Sequence, residues 1–125
     1  MKLRCTKNSI RLRLRKSDIE SLSQQQKVSD SVNFGMTTPL SYTLAISDTT
    51  QIEAKNINSS IYIIVPKSRA NKWVNSDQVS IEETVEFDNG QTLHVLIEKD
   101  FPCVDRENED KSDTFFELAE EGKVC

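Results

Sequence analysis

Aromatic residues make up only 6% of this 125-residue chain, which also holds just three glycines, three prolines and one histidine. So few aromatics leave little on which bases could stack, which counts against a single-strand nucleic-acid binder. There is no glycine-rich phosphate loop, no Gly-x-Ser-x-Gly nucleophile motif and no Cys-His pair at a readable spacing, so the familiar sequence marks of catalysis are missing. No apolar run approaches the roughly 20 residues of a membrane span or the core of a signal peptide, and a cytoplasmic protein is expected. Cys5, Cys103 and Cys125 are odd in number and far apart, unlike a secreted disulfide framework, so reduced thiols are expected.

What the chain has is charge, unevenly distributed. Lys2, Arg4, Lys7, Arg11, Arg13, Arg15 and Lys16 fall within the first sixteen residues with no acid among them, whereas residues 98–125 carry ten acids against four bases. The total of −4 disfavours long-range attraction to nucleic acid or anionic lipid, although a local basic patch still acts over about 10 Å. Arg11, Arg13 and Arg15 alternate with Ile10, Leu12 and Leu14, the period of a half-buried strand, so the arginines share one face. A fixed arginine row needs counter-charges, either from the chain's own acids or from an external anion.

Apolar periodicity predicts the remaining elements. Lys2 to Thr6 and Ser9 to Arg15 form a hairpin around Lys7-Asn8, which gathers Lys2, Arg4, Arg11, Arg13 and Arg15 on one side. Ser17-Asp18-Ile19-Glu20 fits a capping box for a short helix ending near Gln25. Val28 to Phe34 and Leu40 to Ile46 read as antiparallel strands, with a short strand at Gln51 to Lys55 after them. Ile61 to Val65, apolar on both parities, predicts a central strand covered on both faces. Pro66 opens a second helix anchored by Trp73, and Val79 to Phe87 and Leu93 to Ile97 pair across the Asp88-Asn89-Gly90 turn. Glu83 breaks the apolar parity of its strand, which predicts a bulge or an exposed edge there. No internal repeat is visible.

The reading is one α+β domain over residues 1–113: a mainly antiparallel, curved or partly barrelled sheet of about seven strands with two short helices. An acidic, mobile tail follows over residues 114–125. Arg11, Arg13 and Arg15 are the candidate interaction or anion-binding residues, with Glu98, Asp100 and Asp105 as the acidic part of the same surface. Glu82 and Glu86 could also neutralise the arginines. His94, Cys103 and Asp105 are candidate metal ligands in an alternative reading as a metal-binding protein or small hydrolase, but their spacing is not that of a zinc or calcium motif. The Arg face offers a third reading, an RNA or phosphate binder. The leading expectation is a non-enzymatic accessory protein with a protein partner and with no metal, cofactor, nucleic acid or membrane.

The stretches Asn8 to Ser17 and Leu96 to Asp105 resemble paired signatures of a family of short bacterial proteins of unknown function, found mainly in Bacteroidota. Phe34-Gly35, Leu40 to Leu44, Val65-Pro66 and Trp73 are similar to its spacing, so the resemblance covers residues 1 to 113. It places Arg11, Arg13, Lys16, Ser17, Glu98, Asp100, Cys103, Asp105 and Asp113 on recurring positions. Cys5, His94, Cys125 and the tail from Thr114 depart from the pattern. The resemblance implies kinship without an activity, substrate or binding residues to carry over.

Overall fold

The structure is a computed structural model in which residues 1–101, 115 and 118 are described. Eight strands and two helices follow in the order β1 (Lys2–Thr6), β2 (Ser9–Leu14), α1 (Lys16–Gln25), β3 (Lys27–Val32), β4 (Leu40–Ser47), β5 (Glu53–Ile57), β6 (Ser60–Pro66), α2 (Lys67–Val74), β7 (Ser80–Glu86) and β8 (Thr92–Lys99). The α+β class holds, but the strands divide into two mixed sheets rather than one curved sheet. Sheet A has the order β1-β2-β8-β7 and sheet B the order β3-β4-β6-β5.

These orders are one pattern used twice. Each half of the chain is a hairpin, a helix and a second hairpin, and exchanging β1, β2, β3 and β4 with β5, β6, β7 and β8 turns sheet A into sheet B. In each sheet the outer pairs are antiparallel and the central pair, β2 with β8 or β4 with β6, is parallel. The central pair joins the two halves, so neither sheet can form without both. An internal repeat is therefore present, contrary to the sequence expectation. It escapes a sequence reading because only the inward residues match in character. Leu12 and Ile63, Leu14 and Val65, and Leu22 and Trp73 are each 51 positions apart, while the outward residues between them share little beyond the Lys16-Ser17 and Lys67-Ser68 helix starts.

The matched positions form the core. Leu3, Leu12, Ile97 and Ile81 lie in one row across sheet A, and Ala54, Ile63, Leu44 and Val28 in the equivalent row of sheet B. Leu12, Leu44, Ile63, Ile97 and Val95 are fully buried in a single cluster with Leu22 of α1 and Trp73 of α2. Burying side chains of this size contributes about 1.5–3 kcal/mol each. No polar or charged residue is buried among the described residues. Trp73 is the docking anchor expected, and its indole N–H donates to the Val79 carbonyl at 2.9 Å.

Local chemistry fixes the connections. The Lys7-Asn8 and Asn58-Ser59 turns need left-handed backbone, with Asn8 at φ 52°, Asn58 at 48° and Ser59 at 65°, which asparagine tolerates better than most residues. The first helix is capped two residues earlier than the sequence suggests. Arg15 is its N-cap, and the Arg15 N–H donates to Asp18 at 2.9 Å, so Asp18 and not Glu20 closes the cap. Pro66 likewise precedes α2 as its N-cap. Strand β6 is central as expected, yet it is not covered on both faces: Tyr62, on its outward side, is exposed. Strand β7 pairs with β8 without a bulge and is an edge.

Candidate functional site

The outward face of sheet A collects the charged residues, and register fixes their places. Across β1 and β2, Lys2 faces Arg13 and Arg4 faces Arg11. Strand β8 runs beside β2 and sets Glu98 next to Arg13, Leu96 next to Arg11 and His94 next to Ser9. Strand β7 completes the rows with Ser80 beside Glu98, Glu82 beside Leu96 and Thr84 beside His94. One row thus reads Arg4, Arg11, Leu96, Glu82 across the sheet, and the next reads Lys2, Arg13, Glu98, Ser80.

Two directly opposed cation pairs on adjacent strands are unfavourable, each by some tenths of a kcal/mol. Glu98 answers most of this. Its Oε1 lies 2.6 Å from Arg13 Nε and 3.5 Å from Arg11 Nε, with all three side chains less than a third exposed. Asp100 Oδ2 lies 3.2 Å from Lys2 Nζ. Glu98 thus joins Arg11 and Arg13, and Asp100 reaches Lys2, because β8 returns parallel to β2. Glu82 does not reach the arginines; its Oε1 sits 2.8 Å from His94 Nε2. Arg15 lies past the end of β2, as the N-cap of α1, and has no partner in the ladders of sheet A. Lys2 and Arg4 belong to the site instead. Arg4 is exposed and has no ion pair among the described residues. Asp105, Cys103 and Cys125 lie outside the described residues, as does the tail apart from Phe115 and Leu118.

Two further charged clusters tie the sheets together, and they are equivalents in the two halves. Beside β1, the Met1 ammonium sits 2.9 Å from Asp30 and 3.0 Å from Asp18, and Tyr42 Oη donates to the Met1 carbonyl. Beside β5, the Ile52 N–H donates to Glu83 at 3.0 Å, and Arg69 Nη1 donates to the same carboxylate at 2.8 Å. This explains the acid that interrupts the parity of β7: Glu83 points inward and satisfies a buried backbone nitrogen. Burial pushes the Met1 amine down, but hydrogen bonds and charges from Asp30 and Asp18 outweigh it and leave the amine above 8.0. Burial raises Asp18, yet the Arg15 N–H and the amine overcome it and hold Asp18 below 3.8. Tyr42 is raised above 10.0, first by burial and then by the charges of Asp30 and Asp18.

An open cleft of about 680 Å³ lies between the start of β5 and the end of β7, lined by Asp48, Glu53, Lys55, Glu86 and Asp88 among others. Among the described residues no three His, Cys, Asp or Glu side chains gather as a metal site would require, and His94 is spoken for by Glu82. No helix among the described residues is long and apolar enough to cross a membrane. The self-stitched cationic face of β1 and β2 is thus the most developed chemical feature of the described residues.

Comparison with known proteins adds kinship. No curated protein and no solved structure matches the chain. A family model matches residues 1–118, and the chain belongs to that family, DUF7009, a family of unknown function.

Proposed function

We propose that the chain is a non-catalytic binding protein whose outward β1–β2 face docks an extended acidic segment of a protein partner. The observation that carries this reading is the cationic row itself: Lys2, Arg4, Arg11 and Arg13 crowd two adjacent strands, and Glu98 and Asp100 are the acids paired with them among the described residues. A partner that supplies carboxylates relieves the opposed pairs, and guanidinium forks match carboxylates in paired hydrogen bonds. Alternate strand residues lie roughly 6.5–7 Å apart, so acids at every second position of an extended peptide keep step with Arg11 and Arg13. A protein segment is favoured over RNA because, among the described residues, the two rows that hold the cations contain no aromatic side chain to stack a base. Function by binding also accords with the absence of a readable catalytic motif.

The test is fluorescence anisotropy with a labelled ten-residue peptide of alternating glutamate and serine, with a ten-nucleotide RNA in parallel. Peptide binding that weakens about fivefold or more, roughly 1 kcal/mol, on Arg4→Glu and again in high salt supports the reading. Equal binding by the variant, no peptide binding, or tighter binding of RNA overturns it.

A further inference from the structure

The outward face of sheet A is not only cationic at one edge; it is acidic at the other, and the register makes it complementary to itself. The row Arg4, Arg11, Leu96, Glu82 places two cations on β1 and β2, an apolar residue on β8 and an acid on β7. If a second copy is turned about an axis parallel to the strands and midway between β2 and β8, β1 of one copy lies over β7 of the other at the same height. Arg4 then meets Glu82 of the second copy, Arg11 meets its Leu96, and both contacts occur twice. The neighbouring row repeats the logic, since Arg13 lies over Glu98 and Lys2 over Ser80.

We infer that the occupant of this face is a second copy of the same chain, held as a symmetric dimer by paired Arg4–Glu82 contacts. This rests on the binding role proposed for the face: the extended acidic segment is strand β7 of the second copy, with Glu82 and Glu86 on its outward side. Charge complementarity selects the occupant: in this arrangement the acidic strand β7 of one copy stands opposite the cationic strand β1 of the other. A two-fold arrangement also closes, so association stops at two. Four strands spaced about 4.8 Å apart and some six residues long give a face roughly 15–20 Å on a side. That is smaller than the roughly 800 Å² per partner of a standard interface, so the dimer is weak and salt-dependent.

Sedimentation velocity on the full chain at roughly 0.5 mM, in 50 mM and 500 mM salt, reads the state directly. The dimer is expected at low salt and the monomer at high salt, a shift of about tenfold or more in Kd. Arg4→Glu and Glu82→Lys are both at exposed positions, and circular dichroism verifies their folds. Each alone opposes like charges in both contacts and is expected to be monomeric at low salt. Mixed together, or combined in one chain, they restore opposite charges and dimerise. A wild-type monomer at low salt overturns the inference, as does a dimer that both single variants retain or a mixture that stays monomeric. The peptide titration above is read separately with dilute chain, so loss of the dimer with retained peptide binding removes this inference and leaves the binding role standing.

Discussion

Sheet A and sheet B are two versions of one four-stranded unit, and they differ on the side that faces water. Inward, Leu12 answers to Ile63 and Ile97 to Leu44, all fully buried. Outward, Arg11 and Arg13 of β2 become Tyr62 and Ile64 in β6, and His94 and Glu98 of β8 become Ser41 and Ala45 in β4. The central strands of sheet B thus turn out no charge at all. Ser41, Thr43, Ala45, Ser47 and Ser60 make a hydroxyl-rich surface, with Ser41 bonded to Ser60 and Ser29 to Thr43, each at 2.7 Å. The core demands the same apolar volume in each half, so it holds both copies alike. The outer face has no such demand, so the charged row that one copy keeps is not something the core requires.

The largest expected effects test whether the halves share a core. Trp73→Ala should cost about 3–5 kcal/mol and Leu22→Ala about 2–5 kcal/mol in denaturant unfolding, with one transition for each variant. Trp73 also loses its hydrogen bond to Val79. A near-neutral Leu22→Ala would mean that α1 does not anchor its half as α2 does.

The next test separates the two sheet-joining clusters. Glu83→Ala strands the Ile52 N–H and Arg69, and Asp30→Ala removes an acid from the Met1 ammonium; each should cost about 1–3 kcal/mol near neutral pH. Their pH dependence should differ. The Met1 amine sits above 8.0 when folded, so its contribution is full below about pH 8 and is lost as pH rises through the raised value. The cost of Asp30→Ala should therefore shrink in alkaline solution, whereas that of Glu83→Ala, which serves a peptide N–H, should not shrink through the amine. Asp18 acts in the opposite sense: its lowered value gives stability above 3.8 that is lost as acid titrates it. Unfolding curves across pH 3 to 10 check both.

The elements themselves were legible because alternation and turn chemistry are local. Ile10, Leu12 and Leu14 announce a strand, and Asp88-Asn89-Gly90 announces a hairpin. The pairing of β2 with β8 was not legible, since parallel strands more than eighty residues apart leave no local mark. That pairing decides which acids reach the cations, so the sequence names Glu98 and Asp100 as the acidic part of the surface but leaves Glu82 and Glu86 as further counter-charges of the arginines. Lys2 and Arg4 share the hairpin face in the sequence, and Arg15 shares its parity too, because the strand pattern runs on into the residue that caps α1. The role of Glu83 was invisible for a related reason: its partner nitrogen belongs to Ile52, in the other sheet.

A smaller effect is expected where sheet A is stitched. Glu98→Gln removes the shared counter-ion of Arg11 and Arg13 while keeping size, and should cost about 1 kcal/mol, more in low salt than in high. Salt-independent loss would show that Glu98 acts by packing.

The smallest effect belongs to sheet B. Ser29→Ala and Ser41→Ala each break a hydroxyl pair that water can replace, because Ser29 is exposed and Ser41 half-buried at the surface. Each should stay within about 0.5–1 kcal/mol and show no salt dependence. The same reasoning predicts that Thr43→Glu with Tyr62→Arg, which writes a facing charge pair onto sheet B, leaves stability within about 1 kcal/mol of the parent. If that pair is tolerated, the outer face of either sheet accepts charge at no great cost, and the uncharged centre of sheet B is a matter of what that face does rather than of what the fold permits.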